Sequence, residues 1–355
     1  MISQQARALP DKIRSCQSAL VGQDSLHEGI PSDFHAKGFF TMNLSSTNPF
    51  LYEIQELILS HLPPEVRVMM VGDQNSPAGK QIASRDPQAF LHHTEQPWVR
   101  DYFPEIVFDS YKKPHSVVLF RYNHYNLKDP VQKYIASKVA QKLKLPLVES
   151  ALIAEGGNLL SDGEGTLFVS KILIKNNIRY ANHPLTSIAE IESELKNVLK
   201  MRRIIWLPDL PGDPTGHVDT YMMPFGHRKI ALAKYPSSTP AGQIMDRIAD
   251  TLRFANYHVE RITTPKRINP NPSSRKFADI LESFSYTNVI LMGKIVFVPQ
   301  YFGFSKVTFD LRAYDKMALE FWTQQGFQAI PIPASKMIGT GGSLHCISKA
   351  YPSLP

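Results

Sequence analysis

Cys346 is one of two cysteines in this chain of 355 residues, and it ends the glycine-rich run Gly339-Thr340-Gly341-Gly342-Ser343-Leu344-His345-Cys346. A thiol set in such a turn, in a chain that otherwise avoids cysteine, is a candidate nucleophile. Three segments far upstream offer the partners it needs. His217 follows the loop residues 211–216, and Asp219 stands two positions later. In an extended segment, residues two apart share a face, so both side chains can look into one cavity. Asp101 lies between Trp98-Val99-Arg100 and Tyr102-Phe103. It reads as a carboxylate in an aromatic pocket, suited to a planar cation, or as half of a surface Arg–Asp pair. Glu155 follows Leu152-Ile153-Ala154 and precedes Gly156-Gly157-Asn158. It is an acid at a strand end where glycines permit close backbone approach, or a solvated acid in a turn.

Other chemistries fit less well. His92, His93, His217 and Cys346 share no ligand spacing of the usual zinc type, so no metal is expected. A papain-like protease normally carries its Cys before its His, within a local signature that is missing here. There is no Gly-x-Gly-x-x-Gly beside the first strand and no phosphate-binding P-loop, which argues against a Rossmann or P-loop protein.

Composition narrows the class further. Hydrophobic residues make up 43% of the chain, charged residues 20% and aromatic residues 10%, which suits a globular protein with a substantial core. The formal net charge is +7, but the basic residues are scattered, with runs no longer than Lys112-Lys113 or Arg202-Arg203. That pattern reads as a solvated surface, and no nucleic-acid partner is expected. Cys16 and Cys346 lie at opposite ends and form no disulfide framework, which places the chain in a reducing, cytoplasmic compartment. Pro10, Asp11, Lys12 and Arg14 interrupt any signal-peptide stretch, and no apolar run reaches the roughly 18–20 residues of a membrane span. Assembly into a homo-oligomer is left open.

The elements that must position these residues alternate. Apolar spacing predicts helices over 50–61, 131–143, 188–199, 241–255 and 316–325. β-rich runs predict strands over 66–71, 106–108, 117–120, 167–169, 203–207, 229–233 and 329–332, with a further pair within 289–298. Strand–strand–helix–strand units repeated along one chain point to an internally repetitive α/β architecture. Residues 1–48 show no sustained period and read as an appended, partly ordered segment, with the catalytic domain over 49–355.

Taken together, Trp98-Val99-Arg100-Asp101, Glu155-Gly156-Gly157-Asn158, Gly216-His217-Val218-Asp219, Tyr286-Thr287-Asn288 and Gly341-Gly342-Ser343-Leu344-His345-Cys346 occur in the order found in the guanidino-modifying superfamily. The chain resembles its branch of agmatine deiminases and bacterial-type peptidylarginine deiminases, over roughly residues 51–352. The resemblance implies a fivefold pseudo-symmetric α/β propeller with a central active site and a reaction that uses no cofactor. It implies that Asp101 and Asp219 hold a guanidinium, Cys346 attacks it, His217 moves the protons and Glu155 orients His217. Asn288 matches a polar position near the nucleophile, and Trp98, Arg100, Asn158 and Gly342 fall in the motifs that flank the substrate. Agmatine or a similar small arginine derivative stands ahead of peptidyl-arginine as substrate. Amidino transfer and a non-catalytic binding role stay open. Tyr102, Phe103, Met222 and Met223 are bulkier than the family pattern near the site, and are expected to shrink or re-aim the pocket; Thr215 stands where the family has an Asp.

Overall fold

The repeated rhythm folds into five separate sheets. The computed structural model describes residues 27–44, 48–94, 96–122, 129–178, 184–185, 187–211, 213, 215–265, 284–304, 307 and 309–354. The first sheet is built from β1 (Phe39–Leu44), β2 (Arg67–Val68), β3 (Met70–Gly72) and β4 (Phe90–His92). The helix Pro49–Ser60 links β1 to β2, and Pro77–Arg85 links β3 to β4. Four three-stranded sheets follow in chain order: β5 (Glu105–Phe108), β6 (Pro114–Arg121) and β7 (Leu147–Ile153); β8 (Leu160–Ser161), β9 (Thr166–Ser170) and β10 (Arg203–Leu207); β11 (Met222–Gly226), β12 (Lys229–Lys234) and β13 (His258–Thr263); β14 (Ile290–Met292), β15 (Ile295–Gln300) and β16 (Gln328–Pro333).

Each three-stranded sheet has the same wiring. Its first two strands pair antiparallel and its second and third pair parallel. A parallel pair cannot be joined by a tight turn, so a crossover must separate its strands. The helices Asp129–Leu143, Ile188–Leu199, Pro240–Phe254 and Arg312–Gln324 supply those crossovers. The last strand, β17 (Ser348–Tyr351), returns to pair antiparallel with β1, which itself pairs parallel with β3. The first sheet thus acquires the shared wiring only because the two ends of the described chain meet.

Local chemistry sets the helix starts. Ser187 and Glu190 form a reciprocal capping box, and Thr239 caps a helix that opens with Pro240. Strands such as Glu105–Phe108 and Thr166–Ser170 are buried along their whole length, as expected where apolar side chains cover both faces.

The helices expected over 188–199 and 241–255, and the strand over 203–207, lie where the apolar pattern places them, within a residue at the ends. The strands β4, β7, β8, β11, β13 and β17 and the helices Pro77–Arg85 and Ile172–Ile178 were not anticipated; β4 and β8, at two or three residues, are too short to carry a readable period. The boundary at 48 needs correction. β1 is buried throughout and is the strand on which β2, β3 and β17 assemble, and the 3-10 helix Asp33–His35 precedes it. Its sequence, Phe39-Phe40-Thr41-Met42-Asn43-Leu44, buries Thr41 and Asn43 as well as its apolar side chains, so no alternation announces it. Residues 1–26 and 45–47 of the expected appended segment, Cys16 among them, lie outside the described residues.

Among the described residues no helix is long and apolar enough to cross a membrane.

The helix Arg312–Gln324 matters most for function, because it holds the Tyr286-Thr287-Asn288 turn from behind. Trp322 is fully buried, meets Phe225, Phe321 and Phe327 edge-on, and donates its indole N–H to Tyr286 O at 3.1 Å. Asp315 accepts from Tyr286 Oη at 2.7 Å and from the backbone N–H groups of Tyr301 and Phe302. Trp322→Ala should therefore cost about 3–5 kcal/mol in urea unfolding. It should also lower activity, since Asn288 loses its backing; an unchanged unfolding midpoint would contradict this account.

Candidate active site

The candidate residues come from segments between the sheets, and the fold brings six of them together. Asp101 sits in the short helix Val99–Tyr102 just before β5. Its Oδ1 accepts from Gly157 N at 3.0 Å and lies 3.6 Å from His217 Nδ1. The other ring nitrogen of His217, Nε2, is 2.7 Å from Glu155 Oε2. His217 thus bridges two carboxylates from two other segments.

Asp219 follows in the 3-10 turn Val218–Thr220 and is completely buried. Its Oδ2 accepts from His345 Nδ1 at 2.7 Å, while its Oδ1 has no hydrogen-bond partner among the described residues. Asn288 ties this side to the thiol: its Nδ2 donates to Asp219 O at 3.2 Å and to Cys346 Sγ at 3.5 Å, and its Oδ1 accepts from His345 N at 2.9 Å. Cys346 is a free thiol, half-buried in the 3-10 turn His345–Ile347. A carboxylate oxygen left unpaired in a dry interior is costly unless a ligand supplies the donor.

Gly157 marks where these groups meet. A Cβ there would lie 2.5 Å from His217 Nδ1, 2.9 Å from Asp219 Oδ2 and 3.0 Å from Asp101 Oδ1. No larger residue fits without displacing all three.

The other expected site residues act differently. Asn158 is buried and exchanges hydrogen bonds with the Ser170 backbone, accepting from N at 2.8 Å. Ser170 Oγ in turn donates to Gly216 O. Asn158 therefore locks the Glu155 turn to the His217 loop rather than facing a ligand. Arg100 is buried and turned away, donating to Asp33 Oδ1 at 2.8 Å and to His345 O at 3.3 Å. Trp98 lies against Gly342, where a Cβ would run into its ring. Tyr102, Phe103, Met222 and Met223 are all buried in the hydrophobic cores, and Tyr102 Oη donates to Gln96 O at 3.0 Å. Asp213 organises the loop before His217: its Oδ1 accepts from Thr215 N, Thr215 Oγ1 and Gly216 N, and its Oδ2 from Thr220 Oγ1.

Three residues escaped the sequence reading. Tyr122 is buried within electrostatic reach of the site; burial first, then Asp101, Glu155, Tyr102 and Cys346, push its phenol up. Asp33 and His345 hold Asp219 and its neighbours from below. His345 stands next to Cys346 in the motif, which was the one available signal.

Electrostatics follow from crowding these charges. For Asp101, burial favours the neutral acid and His217 opposes it, while Glu155 and Asp219 reinforce it, so its pKa is pushed up to about 7. Burial opposes charge on His217, but Asp101, the hydrogen bond to Glu155 and the remaining carboxylates outweigh it and raise it to about 10. Burial, then Asp219 and Asp101, push the Cys346 thiol up. The substrate-free site therefore holds an imidazolium and a protonated thiol at neutral pH. Among the described residues, no group of three or more His, Cys, Asp or Glu side chains is set to hold a metal ion.

Two outcomes are expected. Gly157→Ala should lower kcat/KM by about a hundredfold while the folded structure persists, because the catalytic groups shift by about an ångström. Second, His217 binds its proton more tightly folded than unfolded, where its value is 6.5. Its contribution to stability is complete below that pH and disappears as pH rises through about 10. The melting temperature of the substrate-free protein should fall across that window, and fall less in His217→Gln; parallel curves would contradict the assignment.

The geometry has counterparts among known proteins. Residues 37–352 match the model of the Porphyromonas-type peptidyl-arginine deiminase family. An agmatine deiminase of Pseudomonas fluorescens is 28% identical over 219 residues, which are 57% of this chain and 57% of that protein. The chain thus spans less than two thirds of that relative's length. Among solved structures, the agmatine deiminase of Enterococcus faecalis superposes with a TM-score of 0.72 at 19% identity, covering 94% of this chain and 99% of its own. A Cys-to-Ser variant of the C. jejuni agmatine deiminase with substrate bound gives 0.70 at 18% identity, covering 92% and 97%. At these identities the structural likeness carries the mixed α/β fold alone. The family match, which spans most of the chain and includes every residue of the site described above except Asp33, carries more: the chain belongs to the Porphyromonas-type peptidyl-arginine deiminase family.

Proposed function

We propose that this protein is a cysteine-dependent deiminase that hydrolyses a guanidino group to a ureido group and ammonia, with agmatine or a similar small arginine derivative as substrate. The observation that carries this reading is the free, buried Oδ1 of Asp219 in a site where Asp101 stands across Gly157. Two carboxylates that both approach one glycine can grip a planar cation and fix its central carbon. A neutral substrate would leave both carboxylates uncompensated.

The chemistry then runs through named atoms. Burial and then the negative charges of Asp219 and Asp101 keep the Cys346 proton in place; the bound guanidinium offsets those charges, so the thiol gives its proton to solvent and becomes the thiolate. Cys346 Sγ attacks the guanidinium carbon and a tetrahedral adduct forms. His217 gives a proton to one nitrogen, the C–N bond breaks, and ammonia leaves a thiouronium on Cys346. Water then attacks the same carbon as His217 takes its proton. The C–S bond breaks as the added hydroxyl loses its proton to solvent, and the ureido product and the thiolate are released. Glu155 holds His217 for both transfers and stabilises its charged form. Asn288 touches both Sγ and the Asp219 segment, and so keeps nucleophile and cation clamp in register.

We infer as well that the five sheets stand around one axis as a fivefold pseudo-symmetric propeller. The shared antiparallel-then-parallel wiring supports this, as does the return of β17 to β1. A central site explains why catalytic residues so distant in sequence come from segments between sheets.

Agmatine, free arginine and an arginine-containing peptide, incubated in parallel with the purified protein, test the reading. The expected result is ammonia and ureido product from agmatine, with none from Cys346→Ala. Product from the peptide alone would move the substrate to protein arginine, in keeping with the family's description. Turnover surviving in Cys346→Ala would sink the mechanism.

A further inference from the structure

Behind Asp219 lies a chain of buried charges that the chemical steps do not use. Asp219 Oδ2 is held by His345 Nδ1 at 2.7 Å. The opposite ring nitrogen, His345 Nε2, is buried without a hydrogen-bond partner among the described residues, and Asp33 Oδ1 faces it at 3.5 Å. Asp33 Oδ1 also accepts from Arg100 Nη2 at 2.8 Å, and Arg100 Nε closes the loop on His345 O. Arg100 directly precedes Asp101, and His345 directly precedes Cys346. Four side chains alternating in potential charge thus connect the substrate clamp, the nucleophile turn and the N-terminal 3-10 helix Asp33–His35.

We propose that Asp33 is a positioning residue for the reaction: acting through His345, it fixes the Asp219 carboxylate with one oxygen held and the other turned free toward the guanidinium. The proposal rests on the deiminase reading for the identity of that cation. Its physical basis is that a buried imidazole between two carboxylates has its orientation set from both sides, whereas one held from a single side is free to pivot. Burial favours neutral Asp33, but Arg100 and then His345 hold its carboxyl well below the usual range, so it presents a permanent anion. Asparagine at that position keeps the shape and removes the charge.

The experiment uses the full chain in a Cys346→Ala background, so that binding is read without turnover. Agmatine affinity is measured by calorimetry for that protein and for versions adding Asp33→Asn, Asp33→Glu, Asp219→Asn, and Asp33→Asn with Asp219→Asn. Asp33→Asn should weaken binding by about tenfold, and Asp33→Glu should recover most of it. On top of Asp219→Asn, the Asp33 change should add less than about twofold, because the carboxylate it positions is gone. Kinetics with otherwise wild-type enzyme should place most of the Asp33→Asn effect in KM. Ser32→Ala, which removes the cap of the same 3-10 helix, separates folding from positioning: it should lower the melting temperature and leave KM unchanged. Unchanged agmatine affinity in Asp33→Asn, or losses that multiply in full with Asp219→Asn, would overturn the proposal. A crystal structure of Asp33→Asn reads the positioning without any substrate. A rotated Asp219 carboxylate would support it, and an unmoved one would overturn it even if no guanidine proved to be turned over and the deiminase reading itself fell.

Discussion

Crowding carboxylates in a dry interior is the constraint around which this molecule is organised. Asp101, Glu155, Asp219 and Asp33 all converge near one point, and ionised carboxylates removed from water repel one another and lose hydration. The protein answers with cations set between them. His217 lies between Glu155 and Asp101, His345 between Asp219 and Asp33, and Arg100 against Asp33. The compensation is incomplete at Asp219. Asp219 Oδ1 is left for a donor from outside, and the raised Asp101 reports the same incompleteness. A site with this deficit is complementary to a cation, and a planar one with several N–H groups suits it best.

Holding such an arrangement requires a rigid surround, which explains where the structural effort goes. Segments bearing the charges are short turns, and each is clamped from behind. Asp213 pins the loop that presents His217, and the Asn158–Ser170–Gly216 bonds join that loop to the Glu155 turn. Asp315 and Trp322 pin the Asn288 turn. Lys349, buried in β17, donates to Phe103 O and pairs with Glu105, which fixes the far end of the Asp101 segment.

Electrostatics and catalysis are also coupled in time. Substrate-free, the thiol stays protonated because burial, and then Asp219 and Asp101, oppose another negative charge there. In the proposed reaction, a guanidinium entering between them would offset those charges, so the nucleophile would be generated where its target already sits. The arrangement favours cationic substrates twice, in binding and in activation, and protects the thiol when the site is empty.

Much of this was legible in the chain itself. Amphipathic periods located the principal crossover helices, and β-rich runs located the middle strands of most sheets, because those elements bury one stripe or both faces in an ordered way. The motifs named Cys346, His217, Asp101, Glu155, Asp219 and Asn288, since thiol, imidazole and carboxylate beside glycine are types whose chemistry survives without coordinates. What stayed hidden was decided by contacts between residues far apart in sequence. Asp33 carries no local sign of function, and β1 hides its place at the heart of a sheet behind a buried Thr41 and Asn43. Arg100 and Asn158 share motifs with catalytic neighbours yet turn toward the scaffold. Residue type and spacing determine which chemistry a chain is equipped to perform. Which carboxylate meets which imidazole, and which oxygen remains free, depends on distances of a few ångströms that only the closed tertiary structure sets, because electrostatic and hydrogen-bond energies in a dry interior change steeply over that range.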